Sequence, residues 1–233
     1  MYATIAIAFL LVSAKLPAQT PPIYQTQTIE GWTVNVNETL QKEKPDATKK
    51  ALEILTAQLK EIEKIVPKPA VVRLKEVKLF LNPGYPGIRG TAEYHEGRKW
   101  LVDNHRDPDM AKSVEFTDIP NFEAEWNRMP NFVLHELAHS FHDRVLGFDN
   151  KEIKAAYDKA KVSGTYDKVE RWRGNGKPNT FERAYAMNNP QEYFAETTEA
   201  FFGRNDFFPF VREELEKHDP EMAGLLKRLW GVK

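Results

Sequence analysis

Two histidines four residues apart, His135 and His139, enclose a glutamate, Glu136, in the stretch NFVLHELAHSFHDR. On an α-helix each residue turns the chain by about 100°, so positions i and i+4 lie about 40° apart and one turn above each other. Both imidazoles can then reach one cation, at about 2.0–2.1 Å if it is zinc. Glu136 stands to the side of that pair. It is poorly placed as a ligand but well placed to touch a water at an open coordination position and take its proton. Leu134, Leu137, Ala138, Phe141 and Val145 make the opposite face apolar, so a buried helix is expected. Two neutral imidazoles and a carboxylate would be costly inside a protein without partners, and a metal ion supplies one. The HExxH pattern arises by accident in roughly one chain of this length in a hundred, so a third ligand has to be found.

His142 follows one turn after His139. Three side chains in a line cannot surround one ion, so His142 is expected to touch the ligands from behind or to end the helix. An extended HExxHxxGxxH pattern fails, because His142 stands at the glycine and Val145 at the last histidine. A GTxxD pattern fails too, because Gly164 and Thr165 are followed by Lys168 where an aspartate is needed. There remains NPQEYFAETTEAFF, in which Glu192, Glu196 and Glu199 stack at i, i+4 and i+7 while Phe194, Phe201 and Phe202 take the other side. A carboxylate stripe on an otherwise aromatic helix suits one glutamate that binds metal and another that orients a ligand histidine. With Asn189 as N-cap and Pro190 as first helical residue, Glu192 falls at the third position, as in a capping box. On that account Glu192 caps and Glu196 ligates; the chemistry of the stripe leaves both open.

Tyr185, three residues, Asn189, two residues, then Glu192-Tyr193-Phe194-Ala195-Glu196 resembles the second motif of the anthrax lethal factor family of zinc metallopeptidases. These are gluzincin-type enzymes with a glutamate as third ligand. The family's first motif is HELGH, and here it is HELAH. The resemblance covers roughly residues 132–202, although the segment between the motifs differs in length and content. It implies Glu192 as the metal-binding glutamate and Glu196 as the carboxylate behind a ligand. It implies Tyr185 as the tyrosine that helps polarise the scissile carbonyl. It further implies a Zn2+ cofactor and a peptide or protein substrate. Two rival functions follow from the same residues: a zinc hydrolase of other amides, such as those of cell-wall material, and a module that holds zinc without turnover. Glu136 speaks against the second, because holding a metal does not require it.

The elements that would position these residues give an α+β chain, a small mixed sheet followed by a helical region that carries the two-helix HExxH zinc site. Trp32, Val34 and Val36 alternate as in a strand. Leu52, Leu55, Leu59, Ile62 and Val66 form the buried stripe of a helix that Asp46 can cap. VVRLKEVKLFLN reads as a second strand, and TAEYHEGRKWLVD as one or two short strands around a turn at Glu96–Gly97. An extended substrate could pair with that edge, which would place Tyr94 and His95 near the cleft. The HELAH helix should start near Asn121 or Asn131 and run to Leu146, where Gly147 ends it. A helix over KEIKAAYDKAK, two arms around a GNGK turn, the glutamate helix and two C-terminal helices complete the series. Trp172 and Arg173, just ahead of GNGK, could rim the site.

Net charge is −1, with Lys and Arg spread along the chain, which gives no support to a nucleic-acid partner. The absence of cysteine removes thiolate zinc, iron–sulfur and nucleophilic-thiol chemistry, and leaves the fold to its core and to bound ions. An apolar run from Tyr2 to Ala14, followed by KLPAQT, is too short to span a bilayer and reads as a signal peptide over residues 1–18, cut after Ala14 or Ala18. A single domain over residues 19–233, secreted or periplasmic and without stable membrane insertion once the signal is removed, is the resulting expectation.

Overall fold

Trp32, Val34 and Val36 turn inward from one strand, β2 (Trp32–Asn37), and are fully buried. The computed structural model describes residues 22–233, so the signal peptide expected over residues 1–18 lies outside the described residues. Before β2, β1 (Tyr24–Ile29) pairs with it antiparallel across a turn at Glu30 and Gly31. After β2 come α1 (Glu38–Glu43), α2 (Pro45–Ile65) and α3 (Lys68–Leu74), then β3 (Leu79–Leu81), parallel to β2. β4 (Ala92–Tyr94) and α4 (Arg98–Asp103) precede β5 (Val114–Phe116), which runs parallel to β3. β4 closes the sheet antiparallel to β5, so the order is β1-β2-β3-β5-β4 and β4 is an edge.

The second half is mainly helical: α5 (Phe122–Arg128), α6 (Phe132–Phe141), α7 (Lys151–Ser163), α8 (Pro190–Phe202), α9 (Arg212–His218) and α10 (Pro220–Leu229). A hairpin of β6 (Val169–Arg171) and β7 (Thr180–Glu182) separates α7 from α8. The α+β class expected from the pattern is what the chain adopts. One apolar cluster joins Val34 and Val36 of β2, Leu55 and Leu59 of α2, Leu134 and Leu137 of α6, and Phe194 of α8. Phe80, which alternates to the other face of the sheet, packs with Leu101 and Met110 in a smaller cluster. No helix among the described residues is long and apolar enough to cross a membrane.

Several elements differ from the pattern reading. Asp46 lies inside the first turn of α2, behind Pro45, rather than at its cap. VVRL of the expected second strand ends helix α3, and only Leu79–Leu81 pair. A four-residue apolar run has no period that separates helix from strand, and the Pro67-Lys68-Pro69 entry settles it as a helix start. The expected strand after Glu96–Gly97 is α4. The HELAH helix is α6 alone, extended by a wider π-type turn over His142–Leu146 to Gly147, whose φ is 81°.

Candidate metal centre

α6 and α8 pack side by side, and each brings its polar stripe to the same place. Asn189 caps α8: its side chain accepts from the Glu192 N–H at 2.8 Å, with Pro190 as the first helical residue. The backbone of Glu192 therefore belongs to the cap while its side chain leaves the helix. Glu192 Oε2 lies 3.1 Å from His135 Nε2 and 3.3 Å from His139 Nε2, and the two Nε2 atoms are 3.1 Å apart. The structure thus brings His135, His139 and Glu192 together as a group able to hold a metal ion.

The spacing suits a tetrahedral ion. Ligand atoms about 2.05 Å from zinc lie about 3.3 Å from one another, the size of this triangle. The tautomer suits it too. His135 Nδ1 is 2.7 Å from Glu199 Oε1, so the proton belongs on Nδ1 and the Nε2 lone pair faces Glu192 and His139. Burial opposes a charge on His135, yet the hydrogen bonds to Glu192 and Glu199 outweigh it and hold the imidazole pKa well above its ordinary value. Burial likewise opposes ionisation of Glu192, and the two histidines overcome it and hold the carboxyl well below the usual range.

Glu136 points into the same cleft, a space of about 930 Å³ bordered by Tyr94, Phe132, Tyr185 and Phe207 as well as the three ligand candidates. Burial, with Glu192 adding to it, raises the Glu136 pKa against the pull of His135 and His139. Its Oε2 accepts the Tyr94 N–H at 2.8 Å. That contact is set by strand register. Thr117 donates to the Thr91 carbonyl and His95 to the Ser113 carbonyl, and Glu93 pairs with Glu115. Thr91, Glu93 and His95 therefore turn their main-chain groups to β5, while Ala92 and Tyr94 turn theirs to the open edge. Tyr185, in a short 3-10 turn ahead of α8, is 46% exposed at the cleft; burial and then Glu192 raise its phenol pKa.

Other expected positions fall elsewhere. The carboxylate expected behind a ligand was Glu196, but the one that reaches His135 Nδ1 is Glu199; Glu196 stays 3.9 Å away and accepts from Asn205 Nδ2 at 3.1 Å. Glu199 was visible as the third member of the stripe, two turns beyond Glu192. Burial pushes Glu199 up to about 7, and burial with Asp206 and Glu199 pushes Glu196 well above its usual value. His142 takes the second of its two expected places, as the residue that ends α6. It is fully buried against Phe148 and Phe194, and neither ring nitrogen has a hydrogen-bond partner among the described residues. Val145, expected on the buried face, is 42% exposed because the π-type turn rotates it outward.

Two ionic groups beside the site left no local signal in the sequence. Asp206 is buried and accepts from Arg128 at 2.6 Å and Arg171 at 3.2 Å, on the wall of the cleft. Arg173 borders the cleft with them, whereas the Trp172 indole donates to the Asn127 carbonyl at 3.2 Å. On the far side, Glu115 accepts from Asn82 at 2.7 Å, Tyr85 at 2.6 Å and Arg106 at 2.8 Å, and stands 2.8 Å from His95 Nε2. Glu93, His95 and Glu115 converge as a second possible metal group. Arg106 already bridges its two carboxylates, with one guanidinium nitrogen 2.6 Å from Glu93 and 2.8 Å from Glu115.

No protein-family model, curated protein or solved structure matches the chain.

Proposed function

We propose that this chain is a zinc-dependent peptidase of exported location, secreted or periplasmic, in which His135, His139 and Glu192 hold Zn2+. The observation that carries the proposal is the triangle of Nε2, Nε2 and Oε2 atoms with 3.1–3.3 Å sides, with Glu136 beside it and tied to the open edge of the sheet. Two imidazoles and a carboxylate make a nitrogen and oxygen donor set that suits zinc, and three protein ligands leave a position for substrate or water. When bound there, the ion supplies Lewis acidity, which brings the pKa of a water toward 7 and polarises a carbonyl.

The chain's own groups do the rest. Glu136 takes the proton of the attacking water on its carboxylate and later gives it to the leaving amine. The Tyr94 N–H fixes one oxygen of Glu136 and leaves the other to carry that proton. The Tyr185 hydroxyl donates to the carbonyl oxygen as negative charge develops, a contribution of ~3 kcal/mol for one well-placed donor. Ala92 offers its outward N–H and C=O to an extended peptide, which adds to the sheet as a further strand and lies across the cleft.

Glu136→Gln in the zinc-loaded protein tests the mechanism. Zinc should bind as before, and casein hydrolysis should fall by roughly 10²- to 10⁴-fold. Unchanged hydrolysis would remove Glu136 as the base. Incubating the wild type with casein and with peptidoglycan tests the substrate: turnover of peptidoglycan amides alone would replace the peptidase assignment with that of a cell-wall amidohydrolase.

A further inference from the structure

We infer that Glu199 is the positioning residue that fixes His135 for metal binding, a role that rests on the zinc site proposed above and that Glu196 does not share. Seven residues turn an α-helix through about 700°, so Glu199 comes back to within about 20° of Glu192, two turns and about 10.5 Å further along α8. The His135 ring lies between those two carboxylates. Glu192 Oε2 meets Nε2 at 3.1 Å, and Glu199 Oε1 meets Nδ1 at 2.7 Å. α8 therefore faces one imidazole at both nitrogens, and it is the Glu199 contact that places the proton on Nδ1 and leaves the Nε2 lone pair toward Glu192.

Glu196 lies between them in sequence but is turned aside. Its carboxylate is drawn to Asn205 Nδ2 at 3.1 Å and remains 3.9 Å from His135 Nδ1, beyond hydrogen-bond reach. Glu199, in contrast, has no other side-chain hydrogen-bond partner among the described residues: it is 0% exposed, and its second oxygen, Oε2, is unpaired there. Burying a carboxylate with a single partner is costly, and that cost is intelligible when the partner is a metal ligand whose basicity the carboxylate raises. A plain brace between α6 and α8 would be met more cheaply by an apolar pair, as elsewhere along these helices, where Leu137 and Phe194 belong to the common core.

The test compares Glu199→Gln with Glu196→Gln in the full chain. Zinc affinity is measured by chelator competition, and thermal unfolding is measured in excess EDTA. Glutamine keeps the size of the side chain and an acceptor oxygen but removes the charge. Glu199→Gln should weaken zinc binding by about 10- to 100-fold, the usual cost of losing an outer partner of a ligand histidine. It should leave the metal-free unfolding temperature unchanged or higher, because one of three neighbouring buried carboxylates is gone. Glu196→Gln should leave zinc affinity near wild type. The reverse ranking would overturn the assignment. So would a Glu199→Gln protein whose metal-free form is destabilised while zinc affinity is kept, since that is what a structural brace does. Should Glu199→Gln not fold, Glu199→Asp, which keeps the charge but withdraws it by one methylene, must show the same selective loss. Wild-type protein that takes up no zinc would overturn the metal site itself, whereas wild-type uptake with an unaffected Glu199 variant overturns this inference alone.

Discussion

The backbone N–H of Tyr94 and the carboxylate of Glu136 meet at 2.8 Å, which couples the edge of the sheet to the residue proposed to move a proton. Proline at 94 removes only that donor from the main chain, and an edge strand tolerates proline where the N–H faces outward. Tyr94→Pro should therefore fold and bind zinc normally while kcat falls by about 10- to 100-fold, because Glu136 loses its fixed orientation. Tyr94→Phe is the control. It keeps the N–H and gives up only the phenol's 2.6 Å hydrogen bond to Asp143, so its kcat should stay near wild type. Equal rates for Tyr94→Pro and Tyr94→Phe would show that this contact does not matter to the chemistry.

Metal removal should lower stability by mass action. An ion that binds only the folded chain stabilises it by ~4 kcal/mol when its free concentration is a thousand times the dissociation constant. Added zinc should raise the thermal midpoint of the EDTA-treated protein, and Glu192→Ala should abolish that rise. Calorimetry with and without zinc decides it; a midpoint indifferent to zinc in the wild type would contradict the site.

How far the sequence could be read depended on whether the signal was local. His135 and His139 sit one turn apart on any helix, so their convergence needed only the helix. Glu192 carried two local readings, cap and ligand, and the chain satisfies both by giving its N–H to Asn189 and its carboxylate to the histidines. Glu199 against Glu196 could not be decided that way. The choice turns on Asn205, which comes from beyond the end of α8 and draws Glu196 aside. The Glu115 network joins Asn82, His95 and Arg106 from separate segments, and no spacing announces it. The buried setting of His142 depends on a π-type turn that periodicity at 3.6 residues does not anticipate.

Gly174 should be a sensitive position for the cleft wall. It has a φ of +60°, and an added Cβ would stand 2.7 Å from the Asn127 carbonyl oxygen and 2.8 Å from Arg128 Cα. The turn is clipped to α5 there, with Asn175 Nδ2 donating to the Ala124 carbonyl at 2.9 Å. Gly174→Ala should cost about 1–3 kcal/mol in urea unfolding, the range for a strained backbone position. The β6–β7 hairpin carries Arg171 and Arg173 on the wall of the cleft, so the same variant should also raise KM more than it lowers kcat. Full stability with unchanged KM would mean that the hairpin seats itself without this close approach.

His142 should make the fold acid-sensitive. It is fully buried between Phe148 and Phe194 with both ring nitrogens unpartnered among the described residues, and burial first, then His139, lowers its pKa from 6.5 to about 4 against the smaller pull of Asp143. Between those two values the unfolded chain takes up a proton that the folded chain refuses. The contribution of His142 to stability must then fall as pH falls from about 6.5 toward 4, by roughly 3 kcal/mol if the whole interval counts. Buried carboxylates with raised values, such as Glu196 and Glu199, act in the opposite direction, because their protonated forms suit the folded state. Absolute stability against pH therefore mixes both signs. The difference between wild type and His142→Leu isolates the histidine, since the carboxylates are common to both proteins. Leucine nearly matches the volume and leaves no orphaned nitrogen, so the variant should be at least as stable at pH 7. Its advantage in EDTA-treated protein, measured by urea unfolding, should widen steadily from pH 7 to pH 4.5. A difference that stays flat over that range would mean that the imidazole finds a partner, or water, when it takes up its proton.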